Sequence, residues 1–372
     1  RNMTGGFAED VKLELTLNPD GTTPYLNDSL FEITFDVRDV DTSYVKTMAP
    51  LENVAGRAVL TNTAFDVFIS SGTVAGMPVG GSVAQLSNIN IKGKGYGVFD
   101  VALDGGVREI LALVETKPVD IGTRIKIDLD RLSGSAKVVA KISLPLLKRP
   151  PIDEVLYEVK AFLKNAALDD LLGGEGLRAA DVSFELNKDE LIASGFGDLN
   201  GVPMALYWHE NFLKGRNYPD ADTSLLVMSG LADEYDMQAL GIDVSSYLAG
   251  KARTEVTFLG RNLKFRTGYF SADTTDAELM VTPIGWRKEP SVPASVTGII
   301  HLLEQGTRLS PLVVKGENID LRASFDFGVD GKGTFSGTVE AVELGKNIAK
   351  AKNINEEGLP QNVCGAAEVL ER

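Results

Sequence analysis

At 372 residues, with 44% hydrophobic and 24% charged side chains, the chain has a globular composition, which excludes disorder over most of its length. Its net charge of -15 argues against a nucleic-acid partner, because phosphate binding needs a basic stripe. A single cysteine, Cys364, excludes an internal disulfide and a cysteine-based zinc site, and no apolar run approaches the ~18 residues a membrane helix needs.

Period-two alternation begins at once. Val11, Leu13, Leu15 and Leu17 alternate with Lys12, Glu14 and Thr16, and Phe31, Ile33, Phe35 and Val37 alternate with Glu32, Thr34, Asp36 and Arg38. Side chains switch faces at every residue of a strand, so each segment has an apolar face and a wet one, the pattern of antiparallel sheet. Asn18-Pro-Asp-Gly21 supplies the turn. Phe65, Val67 and Ile69 repeat the pattern. The longest run is Asn88 to Asp104, where Ile89, Ile91, Gly93, Gly95, Gly97, Phe99, Val101 and Leu103 share one face. It predicts a single strand of roughly 50 Å, bent or left open at its glycines.

Val107 to Glu115 predicts two turns of helix. Alternation resumes at Ile125, Ile127, Leu129, at Val138, Ala140, Ile142, Leu144, and at Val155, Tyr157, Val159. Lys148-Arg-Pro-Pro-Ile152 is the best internal boundary, since prolines interrupt a sheet. Asp169 to Leu172, ending at Gly173, predicts one helical turn. Strands return at Val182, Phe184, Leu186, with a turn at Asn187-Lys-Asp189, and at Met204, Leu206, Trp208. Leu231 to Leu240 predicts a short helix. Leu263 and Phe265, then Leu321, Ala323, Phe325 and Phe327, complete the strands, with a hairpin at Asp330-Gly331. Arg287 to Pro293 marks a second boundary. From Lys346 the alternation fails and a mixed tail with weak helical tendency follows. The segments are therefore 1–150, 151–289, 290–345 and the tail 346–372. No predicted helix is long enough to cover an extended sheet. Because the chain opens with Arg1, it reads as a piece of a longer protein, which leaves an N-terminal anchor open.

Two echoes point to a repeated β unit. Gly56-Arg-Ala58, Gly134-Ser-Ala136 and Gly250-Lys-Ala252 each open an alternating strand, and Gly76-Met-Pro-Val79 matches Gly201-Val-Pro-Met204.

Catalytic apparatus is nearly absent. The two histidines, His209 and His301, lie far apart; Glu210 beside the first and Glu304 near the second are the conceivable partners, and solvated strand positions are the plainer reading. No HExxH, GxSxG or GxxxxGK[ST] motif occurs. Gly174-Glu-Gly176-Leu-Arg-Ala179 fits a relaxed dinucleotide fingerprint but precedes a strand, so it reads as a loop. Gly93-Lys-Gly-Tyr-Gly97 has the wrong spacing and lies inside the long strand. Asp128 with Asp130, and Asp233 with Glu234, read as solvated surface. Asn2-Met-Thr4 and Asn27-Asp-Ser29 fit the glycosylation pattern at about the rate of chance. No enzyme is predicted.

The ordered set Ala58 to Val79, Asp128-Leu-Asp-Arg-Leu-Ser-Gly-Ser-Ala136 leading into Lys141-Ile-Ser-Leu-Pro-Leu146, Asp181 to Trp208 through Gly201-Val-Pro203, and Glu317 to Leu344 resembles the AsmA-like superfamily of bacterial envelope proteins, in its YhdP-like branch related to TamB. The likeness covers roughly residues 10 to 345, and the tail from Lys346 departs from it. It implies an all-β, mainly antiparallel fold: an elongated curved sheet forming an open trough with an apolar interior and few short helices. It also implies a periplasmic protein, anchored in the inner membrane by a segment not present here. Such a protein shields phospholipid acyl chains in transport between the inner and outer membranes.

Under this resemblance the partners are phospholipid acyl chains, with the two membranes reached through parts outside the chain. It brings no cofactor, no metal, no nucleic acid and no catalytic residues. The lining falls to the apolar strand faces: Leu13, Leu15, Phe31, Ile33, Phe35, Phe65, Val67, Ile69, Ile89, Ile91, Phe99 and Val101 in the first part. Ile125, Ile127, Ile142, Phe184, Leu206, Phe265, Leu321 and Phe325 follow. The alternative is a β-sandwich or solenoid binding module without lipid transport, whose closed core would leave a polar face near Lys92, Lys94 and Tyr96.

Overall fold

A computed structural model describes residues 5–16, 30–43, 49–114, 128–148, 150–172, 175–240, 242–261, 264–281, 285–303, 306–328, 335–344 and 347–349. The fold is all-β and mainly antiparallel. Among the described residues, twenty strands belong to one sheet and three to a second, small one. The large sheet is not closed into a barrel, and the helices are few and short. The chain divides into two compact units, Arg1–Ala167 with Asp181–Ile192, and Leu168–Ala180 with Ala193–Arg372.

In the first unit each strand pairs with its neighbour in sequence. β1 (Phe7–Thr16), β2 (Leu30–Thr42), β3 (Leu51–Thr61) and β4 (Ala64–Val74) form antiparallel pairs in that order. β5 (Met77–Pro78) and β6 (Val83–Ser87) are two halves of one partner of β4. β7 (Tyr96–Gly106) pairs with β6 and leads straight into α1 (Val107–Val114), after which β8 (Leu132–Pro145) returns along β7. β9 (Leu156–Leu172), β10 (Glu175–Asn187) and β11 (Glu190–Leu199) are the strands through which the division into units runs.

The second unit continues with β12 (Val202–Asn211), α2 (Phe212–Asn217), β13 (Ser224–Ala232) and α3 (Glu234–Ala239). β15 (Ala252–Arg261), β16 (Lys264–Asp273), β19 (Ala294–Leu303), β20 (Gly306–Gly316), β21 (Ile319–Gly328), β22 (Phe335–Leu344) and β23 (Asn347–Ala349) follow β13 as successive antiparallel neighbours. The connections supply β14 (Leu248–Ala249), β17 (Glu278–Val281) and β18 (Trp286–Lys288), which make the small sheet.

Local chemistry explains the bends. Asp10, Asp39 and Asn53 have φ near +50° where β1, β2 and β3 slip in register. Asx residues tolerate this left-handed geometry, and the resulting bulges curve and twist a sheet. The Asn53 amide donates to Asp41 Oδ1 at 2.9 Å, and Asn165, also left-handed, donates to Asp181 Oδ1 at 2.9 Å. Removing one such acceptor, as in Asp41→Ala, is expected to cost about 1 kcal/mol, read by chemical denaturation.

The second echo is one turn used twice. Ala75-Gly76 and Asn200-Gly201 have φ values of 49°, 77°, 52° and 93°, so both connections are two-residue turns of the hairpin type. Each is followed by a buried, exposed, buried triplet: Met77-Pro78-Val79 and Val202-Pro203-Met204. Alanine is the wrong residue at φ 49°. Ala75→Asn, which copies the second turn, is expected to stabilise the protein by about 1 kcal/mol in denaturant melts. The first echo is looser. Ala58, Ala136 and Ala252 are all buried, but Gly56 and Gly134 lie within β3 and β8 and only Gly250 precedes its strand.

Several expectations are corrected. Asn88 to Asp104 is not one strand, because residues 88–95 form a loop with Asn88 at φ +52° and Gly93 at φ +78°; Gly93 and Gly95 therefore lie outside any strand. Asp169–Leu172 belongs to β9, and Gly176–Ala179 belongs to β10 rather than a loop or a phosphate-binding turn. Leu129 lies in a 3-10 turn, Leu129–Arg131. Short covering elements do exist, as the apolar face shows. Asn18–Gly21, Ile125, Ile127, Glu304, Asp330-Gly331, Cys364, Asn2 and Asn27 fall outside the described residues, as does the tail beyond Ala349.

A candidate apolar binding face

Residues paired directly across strands share a face, so the registers can be followed from strand to strand. One row in the first unit runs Leu13, Ile33, Leu60, Phe65, Leu86, Gly97, Leu144, from β1 to β8. The next runs Phe35, Ala58, Val67, Ala84, Phe99, Ile142. Leu15 lies opposite Phe31 at one edge, and Val101 lies opposite Ala140. With strands about 4.8 Å apart, the first row spans roughly 29 Å. The hydrocarbon core of two lipid leaflets is about 30 Å thick.

The other face is ionic. Arg38 meets Glu9 at 2.6 Å, Lys137 meets Asp104 at 3.6 Å, and Lys160 meets Glu185 at 3.5 Å. These pairs are exposed and add little stability, but they mark which face belongs to water.

Among the described residues, cover is confined to one end of the apolar face. α1 carries Val107, Ile110 and Leu113 at the spacing of one helical stripe, and these pack with Val74, Met77, Val79, Leu103, Ala136 and Val138 into a buried cluster. Val37, Val40 and Val54 form a smaller cluster with Phe35 and Ile69 against it. Toward the start of β7 this cover ends. Ile33, Leu60, Phe65, Val67, Leu86, Phe99, Ile142 and Leu144 are only half-buried, and Leu13 is 62% exposed.

In the second unit the equivalent row is covered at its two ends, while Val256, Phe270, Gly298 and Leu312 in its middle are half-buried. Leu206, Met228, Val256, Phe270, Gly298, Leu312, Ala323 and Val339 lie opposite one another in turn from β12 to β22. Met237 and Leu240, at and just after α3, pack on the cluster that contains Leu206, Phe258 and Phe265. Asp233 caps α3 in a capping box with Asp236. Leu248, Val281 and Trp286 of the small sheet pack on Leu321, Ala323 and Val339. Three phenylalanine rings fill the space beside glycines on the neighbouring strand, where a Cβ would collide with the ring: Phe258 at Gly268, Phe270 at Gly298 and Phe325 at Gly337. Lys288 pins the small sheet. It is 4% exposed, and its ammonium donates to the carbonyls of Thr275 (3.1 Å), Glu289 (3.1 Å) and Val292 (2.8 Å), which uses all its protons.

The expected lining residues therefore divide. Leu13, Leu15, Phe31, Ile33, Phe35, Phe65, Val67, Ile69, Phe99, Val101 and Ile142 come together on one face of the first unit. Phe184 shares the buried face of β10 with Val182. Leu206, Phe265 and Leu321 are core residues at 9%, 9% and 4% exposure, and Phe325 packs beside them, because α3 and the small sheet already occupy that face. Ile89 and Ile91 leave the sheet with their loop. Leu60, Leu86 and Leu144 complete the rows. Leu86 was missed because its strand is only five residues long and shows little alternation.

The conceivable catalytic groups do not converge. His209 and Glu210 are consecutive on β12 and so point to opposite faces. Glu210 is buried, accepting from the Thr223 hydroxyl at 2.5 Å and from the Ser224 hydroxyl, which ties off the α2 excursion. His301 Nε2 lies 3.3 Å from the Ser310 carbonyl. Asp128 caps a 3-10 turn, Asp130 meets Arg108, and Glu234 accepts from the Gly250 amide. Among the described residues no group of three or more His, Cys, Asp or Glu could hold a metal ion, and no helix is long and apolar enough to cross a membrane. No family model, no curated protein and no solved structure matches the chain.

Proposed function

We propose that the first unit binds phospholipid acyl chains on the uncovered part of its apolar face. In this reading the chain is a periplasmic segment of an inner-membrane-anchored envelope protein that shields lipid tails in passage between the two membranes. The observation that carries it is the two apolar rows, one running from β1 and one from β2 to β8, whose large side chains remain half-buried or exposed beyond the reach of α1. Burying methylenes gains roughly 0.8 kcal/mol each, so a sixteen-carbon tail gains on the order of 10 kcal/mol before ordering costs. No polar recognition is needed at that magnitude, which fits a face lined by aliphatic and phenyl groups. The resemblance to AsmA-like proteins supplies the direction of the reading, the compartment and the two membranes.

Native mass spectrometry of protein purified from a Gram-negative host tests it. Phospholipid adducts are expected, and repeatedly lipid-free protein would count against the proposal. A second reading, a binding or structural module without lipid transport, is favoured by the cover that α3 and the small sheet give the ends of the second unit's apolar face. It expects lipid-free protein and a polar partner.

A further inference from the structure

The open end of the first unit's sheet ends in a corner unlike the rest of this acidic chain. The loop of residues 88–95 carries Ile89 and Ile91, exposed at 39% and 47%, with Lys92 and Lys94. Beside it, just past β8, Leu146 and Leu147 are exposed at 37% and 42% and are followed by Lys148. The corner is built rather than loose. Ile89 N–H donates to Thr63 O at 3.1 Å, Ile91 N–H to Asn88 O at 3.1 Å, Lys94 N–H to Ile91 O at 3.0 Å, and Leu146 N–H to Gly95 O at 2.8 Å. The last bond joins the two segments.

Neither 88–95 nor 142–148 contains a carboxylate, although the chain has a net charge of -15. Among the described residues none of the three lysines has an ion-pair partner; the nearest carboxylates along the chain are Asp100, which meets Lys141 at 4.0 Å, and Asp153 and Glu154 beyond Pro150 and Pro151. Exposed aliphatic side chains held in a fixed turn and ringed by lysines match the membrane–water interface. There the apolar tips enter the acyl boundary while ammonium groups stay at the headgroups.

We propose that this corner docks on the surface of an anionic phospholipid bilayer. Charge complementarity selects that occupant: a basic, aliphatic corner on an otherwise acidic protein meets a negative surface. The inference goes beyond the acyl-chain reading and does not depend on it.

Flotation of the intact chain with vesicles tests it, using pure phosphatidylcholine against phosphatidylcholine with phosphatidylglycerol. Binding to the anionic vesicles alone is expected, weakening as salt rises. Each lysine near such a surface is worth about five-fold in affinity, so Lys92→Gln, Lys94→Gln and Lys148→Gln together are expected to weaken binding on the order of 100-fold. Ile91→Ser with Leu147→Ser is expected to weaken it at every salt concentration. All these side chains are exposed, so the melting temperature should not change. No binding by the parent protein, equal binding to both vesicles, or parent-like binding by the lysine variant would overturn the proposal. Native mass spectrometry of the same preparations separates this result from the acyl-chain reading, since bound lipid with no docking, or docking with no bound lipid, each removes only one of the two.

Discussion

Phe99→Asp is expected to empty the apolar face of lipid while leaving the protein folded, and Leu103→Asp, on the same strand and face, is expected to unfold the first unit. The two positions differ in cover alone. Leu103 is 8% exposed within the cluster beneath α1. A carboxylate there is an unpaired buried charge, costing about 4 kcal/mol or more. Phe99 is half-buried, opposite Ala84 and Ile142, with water able to reach a polar replacement. The lost ring contacts, including those over Gly97, cost about 1–2 kcal/mol. An ionised group among lipid tails is far more costly, so bound lipid should fall below detection. Thermal melts and lipid content measured on both variants check the pair. Equal destabilisation by both would mean that the face is closed throughout.

Lys288→Met is expected to destabilise the second unit by about 3 kcal/mol, because three carbonyls lose a charged donor at once. Burial holds the Lys288 ammonium below the ordinary lysine value of 10.5, with Asp273 and Asp276 opposing the shift. The folded state therefore binds this proton less tightly than the unfolded one. The lysine's contribution is smallest below the folded pKa and rises as pH climbs from there toward 10.5. Tyr247, raised above 10.0 by burial, acts with the opposite sign in both proteins, so the difference in urea stability between the parent and the methionine variant is what should grow across the alkaline range.

Most of the sheet was legible because its strands obey period two. β1, β2, β4, β8, β12 and β21 lie where alternation predicts them, and α1 lies where Val107, Ile110 and Leu113 set a helical stripe. The same rule failed at Asn88–Gly95. Ile-Asn-Ile-Lys alternates by composition, yet Asn88 and Gly93 turn through left-handed geometry that alternation cannot register. Asp169–Leu172 misled in the opposite way: its residues favour a turn, and Asp170 takes φ 51°, yet pairing carries the strand through. At the candidate face the sequence marked the right residue types without showing which were covered. Leu206 and Phe99 look alike in sequence, and only tertiary packing puts α3 beside one and no helix of the described residues beside the other. The Asx bulges leave a signal in the sequence, mid-strand Asp10, Asp39 and Asn53, that alternation alone does not register.

Photo-crosslinking with a phospholipid that carries a diazirine in its acyl chain tests the central claim most directly. Peptide mapping is expected to place adducts on Phe65, Leu86, Phe99 and Leu144, with none on Leu103 or Val138 beneath α1. Adducts confined to the opposite face, at Phe68 and Val139, or no adducts at all, would contradict it.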